Sequence, residues 1–258
     1  MALETHSKFY YGYEITSENQ YLDIYDGTSN ISITLDIKSY TTDELAAALA
    51  SKLTAAAVGD YTVTFNRATR KFTISGTVTF SLLFATGDNF FQSFHSLLGF
   101  NDTDLTGSTS YTSQIASGKS YSTQFYMQSY KPTALNKRSI DSVINESASG
   151  VIEAIKFGDK RFLEGELLFI TDIIQNDVSI VRTNTSGVAD YISLIEWLVD
   201  KKPVEIMIDE NKVNEYQVFL LESTELDSKG MDYELIELYD RSLPLYYRSG
   251  KLKFRLLE

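Results

Sequence analysis

Asp190–Leu221, DYISLIEWLVDKKPVEIMIDENKVNEYQVFLL, is the stretch on which the fold turns. Ile192, Ile195 and Val199 share one side of a 3.6-residue period, with Leu194 and Leu198 beside them, which predicts a helix that buries one stripe. Asp190 carries a carboxylate suited to capping its start. Lys201 and Lys202 suit its C-terminal end, and Pro203 stops it. The period then changes: Val204, Ile206 and Ile208 alternate with Glu205 and Met207, as in a strand. Asp209–Lys212 turns the chain and Tyr216–Leu221 returns. A helix with one apolar stripe needs a sheet to lie on. The stretch therefore predicts a helix packed on an antiparallel β-barrel or sandwich, completed by the other C-terminal strands.

Those strands are sought on either side of it. Tyr121–Tyr130 alternates and reads as the first of them. Thr133–Gly150 is polar and reads as a long loop or arm, with Lys137-Arg138 a basic spot in an acidic chain. Val151–Phe157 reads as a strand, Gly158-Asp159 as a turn, and Arg161–Ile174 as a second, longer strand. Asn176–Gly187 is another polar loop. Beyond the opening stretch, Glu222–Asp232 is a charged loop, and Tyr233–Tyr239 and Lys251–Leu256 complete the sheet. The second half is thus about seven strands with one helix near 190–200.

The first half has a different rhythm. Lys8–Ile15 and Gln20–Asp26 read as two strands joined by a turn, and Ile31, Ile33, Leu35 and Ile37 alternate in a third. Thr41 and Glu44 have capping-box spacing, followed by Leu45, Leu49 and Leu53 on one helical face, with Gly59 past the end. Tyr61–Phe65 and Phe72–Ile74 flank a hairpin turn at Asn66–Arg70. Gly76 interrupts, and Val78–Phe84 makes a further strand. A short helical pattern follows, with Phe91, Phe94 or His95, and Leu98 inward and Gly99 as C-cap. Asn101–Ser122, rich in Ser, Thr and Gly, reads as an extended surface excursion. The expected fold class is α+β, mostly antiparallel β: an N-terminal mixed α+β domain over 1–118, then a β-barrel or sandwich with one flanking helix over 119–258.

Composition narrows the function. Hydrophobic residues make up 43% of the 258, enough for real cores. There is no Cys, so neither disulfides nor thiolate metal sites hold the chain together. No apolar run is long enough for a membrane span, and no membrane insertion is expected. The N-terminus lacks the basic start and apolar core of a signal peptide. A formal charge of −12 argues against tightly held nucleic acid, while an acidic wall lets DNA pass without sticking.

No catalytic, cofactor or metal set emerges. His6 and His95 are the only histidines; His95 sits among aromatic residues and reads as packing. Asp102, Thr103 and Asp104, and Asp23 with Asp26-Gly27, offer oxygens but match no twelve-residue calcium loop, so turn chemistry accounts for them. Glu164-Gly165-Glu166 and Glu222 with Glu225 read as solvated carboxylates rather than a glycosidase pair. Both phosphate-cradling glycine patterns are absent. Trp197 lies off the main helix stripe and is either a subunit contact or partly buried against the sheet.

A capped helix, a Lys-Lys-Pro break and a hairpin set in an antiparallel barrel, as in SLIEWLVDKKPVEIMID, resemble the tail-tube fold of tailed bacteriophages, which also occurs in distal tail and baseplate tube proteins. The resemblance covers roughly Tyr121–Glu258. ISITLDIKSYTTDELAAALASKL and YTVTFNRATRKFTIS look like domains of virion structural proteins. The resemblance implies a non-enzymatic virion component, assembled in the host cytoplasm, without cofactors. It implies a homo-oligomeric ring, sixfold or threefold, paired through sheet edges, beside other tail or baseplate proteins and with DNA only as passing cargo. The extra N-terminal domain favours a tip, baseplate or neck ring over the repeating shaft. Candidate inter-subunit contacts are Trp197, Lys137, Arg138, Asn176, Asp177 and Arg182. The competing reading is a receptor- or carbohydrate-binding adhesin module, suggested by the Tyr- and Ser/Thr-rich first half.

Overall fold

The computed structural model describes residues 6–126, 137–146, 152–168, 191–207, 215–222, 233–236, 246–249 and 252–257. The strands before the first helix are β1 (His6–Tyr11), β2 (Tyr13–Glu14), β3 (Tyr21–Tyr25), β4 (Asn30–Thr34) and β5 (Ser39–Tyr40). Helix α1 (Thr42–Ala56) leads to β6 (Tyr61–Asn66), β7 (Lys71–Leu82), β8 (Leu105–Thr112), β9 (Lys119–Tyr126), β10 (Lys137–Glu146) and β11 (Ile152–Leu168). Helix α2 (Tyr191–Val199) precedes β12 (Val204–Met207), β13 (Tyr216–Leu221), β14 (Tyr233–Ile236), β15 (Tyr246–Ser249) and β16 (Leu252–Leu256). The class is α+β, mostly antiparallel β with two α-helices among the described residues.

Two main sheets carry the molecule. One has the order β4-β3-β7-β6 with β8 also on β7; the other runs β10-β11-β16-β13-β12-β1-β9. In the second sheet β9 also pairs with β11, through Glu166–Leu168, beyond the Phe162–Gly165 stretch that pairs with β16. The small pairs β2–β5 and β14–β15 form sheets of their own, and β15 lies against β11, whose Leu167 amide donates to Ser249 Oγ at 2.8 Å.

The N-terminal sheet is built as its periodicity dictates. Thr41 accepts the Glu44 amide at 3.3 Å and its own amide donates to the Glu44 carboxylate at 3.0 Å, so the capping box forms. Leu45, Leu49 and Leu53 are fully buried, with Leu22, Ile24, Phe72 and Ile74 in the same core. Each such side chain contributes about 1.5–3 kcal/mol by leaving water. β7 is one strand where two were expected. It runs through Gly76, pairing first with β6 and then, near its end, with β3. The expected short helix reduces to a 3₁₀ turn, Phe90–Gln92, and Phe91 points outward rather than in; Phe94 and Leu98 are inward. The surface excursion expected over Asn101–Ser122 instead contributes β8 and the start of β9.

The second sheet departs further from expectation. β1 makes no hairpin with β3. It pairs with β9 over His6–Tyr11 and with β12 through Lys8–Tyr10, so the first strand of the chain belongs with the last ones. β11 is a single strand through Gly158-Asp159, the expected turn. β10, within the stretch expected as a loop, is its partner. The register passes from Asp141↔Gly158 to Ser142↔Lys156, leaving Phe157 as the extra residue of a bulge. The expected hairpin of β12 and β13 is present, with Val204 opposite Phe219.

Helix α2 is rotated from its expected stripe. Leu194, Ile195, Trp197 and Leu198 are buried, while Val199 is exposed. Its C-terminus closes with the Lys201 amide on the Leu198 carbonyl (3.0 Å) and the Lys202 amide on that of Trp197 (3.3 Å). Lys201 holds the left-handed conformation usual for glycine in this motif, φ 57°. The Asp190 cap, the Asp209–Lys212 turn, the whole Asn176–Gly187 loop and the Glu222–Asp232 loop beyond Glu222 lie outside the described residues.

Candidate functional site

The two sheets have separate cores among the described residues, and polar side chains meet between them. The hairpin turn joining β6 to β7 supplies Arg67 and Arg70. Strand β12 supplies Glu205, whose place between Val204 and Ile206 turns it to the opposite face of the sheet. That face is covered by the N-terminal unit, so the Glu205 side chain is 3% exposed and that of Arg67 8%.

Glu205 accepts from the Thr42 amide at 2.8 Å and from the Thr42 hydroxyl, so it caps the first turn of α1 from another sheet. Its second oxygen accepts from Arg67 Nη1. Arg67 Nη2 donates to Thr42 Oγ1 (3.1 Å) and to Asp43 (3.2 Å), and the guanidinium lies 3.1 Å from the Tyr216 ring centroid. The Tyr216 hydroxyl donates to Asp43. Burial is the largest influence and works to lower the Arg67 pKa, but the charge and hydrogen bond of Glu205 together with Asp43 and Tyr216 carry the net direction upward. Burial, then the bond to Asp43, raises the Tyr216 phenol. Removing one partner of such a buried pair costs about 3–5 kcal/mol, because the other charge is stranded.

A second cluster surrounds the chain crossings. Arg70, itself at φ 56°, donates to Ser120 Oγ (2.9 Å) and to the carbonyls of Ser117 (2.5 Å) and Gly118 (2.8 Å). Its own carbonyl accepts the Ser117 amide at 2.7 Å. Tyr13 and Ser117 share a hydroxyl bond of 3.1 Å, and burial raises the Tyr13 phenol far above its ordinary range. Lys202 completes the set with Glu14 at 3.0 Å. Chemically, these clusters fasten one sheet to the other: the Arg67–Glu205 pair and its neighbours hold one another.

The expected contact residues divide three ways. Trp197 follows the second of its two expected readings: it is 8% exposed, packs on Tyr11 at 5.8 Å and donates its indole N–H to the Pro203 carbonyl at 2.8 Å. Lys137 and Arg138 begin β10, opposite Phe162 and Arg161. Asn176, Asp177 and Arg182 lie outside the described residues.

The acidic turns are occupied by protein donors. Asp23 accepts from Asn89, Asp26 from the amides of Thr28, Ser29 and Val58, and Asp104 from Ala85 and Thr86. His95 stacks on Phe84 at 4.9 Å with Nε2 2.5 Å from Asp102. Glu222 pairs with Lys253 at 3.0 Å. Among the described residues no helix is long and apolar enough to cross a membrane.

Sequence reasoning missed Arg67, Arg70 and Glu205. The one local signal was a carboxylate in the strand VEIM, whose neighbours are otherwise apolar; its partners lie far away in sequence. No family model matches the chain, and no curated protein matches it.

Proposed function

We propose that the chain is a non-enzymatic structural subunit of a bacteriophage tail, forming a ring at the tail tip, baseplate tube or neck around a DNA-conducting lumen. The observation that carries this reading is the length of β11. Phe162–Leu168 is anchored between β16 and β9, whereas Ile152–Arg161 pairs only with β10 among the described residues. At the usual rise per strand residue, that ribbon reaches about 30 Å. A two-stranded ribbon is marginal alone in water, and an open strand edge invites a further strand. A second copy of the chain supplies it.

The ladders also suggest where such contacts fall. Each of β11, β16, β13, β12, β1 and β9 has ladder neighbours on two sides, and β9 meets β11 again, which supports reading this sheet as the wall of a barrel. Lateral pairing then belongs to the outer edge of β10 rather than to the rims of the wall. The acidic balance of −12 suits a lumen that repels a passing polyanion.

Light scattering and negative-stain microscopy of the purified full chain test the proposal. It requires closed rings of sixfold or threefold symmetry, and labelling of the tail when antibody is applied to virions. A strictly monomeric protein absent from virions ends it. The adhesin reading has one observation in its favour: Phe91 is 85% exposed and its ring lies 3.7 Å from that of Phe90. Exposed aromatic faces stack on sugars, so a glycan array on which Phe91→Ala abolishes binding supports that reading instead.

A further inference from the structure

The N-terminal unit enters and leaves the second sheet through adjacent crossings. Tyr11 closes β1 and Lys119 opens β9, and the two are direct partners in the ladder. Gly12 follows the first at φ 96° and Gly118 precedes the second at φ 60°, backbone conformations that glycine adopts without penalty. A side chain on Gly118 would sit 2.6 Å from the Tyr13 ring. Tyr11 belongs to the core of the second sheet and Tyr13 to that of the first, so the boundary between cores falls on Gly12.

What joins the units beyond this neck is mainly polar, with Tyr10 and Met207 buried beside Glu205 on the same face of the second sheet and Arg70 lying 5.8 Å from the Tyr10 ring. At the neck itself Arg70 of the insertion donates to Ser120 of β9 and Lys202 donates to Glu14, while Tyr13, Arg70 and Ser117 hold one another within the insertion. Away from it, Glu205 bridges to Thr42 and Arg67, flanked by Asp43 and Tyr216. Polar joints between separately cored units permit relative motion, whereas shared apolar cores do not. We infer that residues 12–118 are a hinged insertion that pivots at Gly12 and Gly118 and is held closed by a latch of Glu205 on Arg67 and the first turn of α1. The inference rests on the joint alone and does not require the ring reading.

The latch is asymmetric. Glu205 comes from the short strand β12, while its three donors, the Thr42 amide, the Thr42 hydroxyl and Arg67, all sit on the insertion. One side-chain change on the sheet therefore releases the contact without altering either core. The chain has no cysteine, so two introduced ones report the angle of the joint cleanly. Ile37, 61% exposed on the insertion, and Leu257, 38% exposed beside β16, are suitable sites.

With spin labels on Ile37→Cys and Leu257→Cys in the full chain, pulsed dipolar spectroscopy is expected to give one narrow distance. Adding Glu205→Ala, or separately Arg67→Met, is expected to broaden it and move the main population outward. The Thr42 amide is expected to exchange about tenfold faster or more, while the Ile24 and Phe219 amides keep their protection. Thr41→Ala weakens the start of α1 without touching Glu205 and is expected to leave the distance unchanged. An unaltered narrow distance in both latch variants overturns the inference. So does simultaneous loss of Ile24 and Phe219 protection, which would make the joint part of one shared core.

Discussion

The N-terminal unit and the second sheet are both antiparallel β with one helix, but they draw on the chain in opposite ways. In the unit, β3 pairs with β4, β6 with β7 and β7 with β8, neighbours or near neighbours in sequence, while the end of β7 reaches back to β3. In the second sheet, β1 lies beside β12, and β16 lies between β11 and β13. Local pairings close small loops and form quickly; pairings between distant segments must first meet the entropy of closing long ones. The unit can therefore organise itself while the sheet waits for both ends of the chain. The difference also fits a contact that is mainly polar, with Tyr10 and Met207 buried beside Glu205: a unit with its own core needs little apolar surface toward its host.

The widest separation between the regions is expected from core truncation. Leu49→Ala, at a fully buried position of α1, is expected to destabilise the N-terminal unit by about 2–5 kcal/mol, and Phe254→Ala to cost the second sheet about 3–5 kcal/mol. Denaturation followed by amide exchange in each region checks this. The comparison breaks if either variant lowers protection equally in both.

A smaller effect tests whether α1 is locally specified. Thr41→Ala removes the acceptor for the Glu44 amide and is expected to cost about 0.5–2 kcal/mol, confined to the unit. A change as large as that of Leu49→Ala would mean that the cap holds more than the helix end.

Acid sharpens the comparison through Asp26. The amides of Ser29 and Thr28, and then of Val58, hold its carboxyl below the ordinary value. A group depressed on folding stabilises the folded state above its unfolded pKa, about 3.9, and that contribution disappears as pH falls through the lower folded value. The unit is thus expected to weaken below about pH 4, and Asp26→Asn to flatten that part of the profile in urea titrations at stepped pH. An identical slope in the variant removes Asp26 from the account.

The smallest effect concerns a hydroxyl. Tyr61 is buried and its OH has no hydrogen-bond partner among the described residues, so Tyr61→Phe is expected to be neutral or stabilising by up to about 1 kcal/mol. A clear loss of stability in a thermal melt would point to a partner for that OH.

The regions also differed in how far they could be read in advance. Thr41, Glu44, Leu45, Leu49 and Leu53 lie within one helix, and their spacing alone specifies cap and buried face. The hairpin of β12 and β13 was legible for the same reason. β1 was not, because YY reads as strand without naming its partner, and β12 lies at the far end of the chain. β10 was hidden by its polar composition: KRSIDSVINE lacks the apolar weight of a core strand and is held by β11 alone among the described residues. Trp197 was open between two readings because the helix closure through Lys201 and Lys202, which turns the indole in to the Pro203 carbonyl, is not written in the helical period. Glu205 was least legible of all. A carboxylate in a strand ordinarily faces water, and only the arrival of Arg67 and Thr42 on its face makes it a buried contact.

Native-state amide exchange across a urea series tests most directly the claim that two separately cored units share one polar joint. Amides of β3, α1 and β7 are expected to follow one unfolding isotherm and those of β12, β13 and β16 another, with Thr42 opening at a lower free energy than either. A single isotherm embracing all of them, Thr42 included, would contradict it.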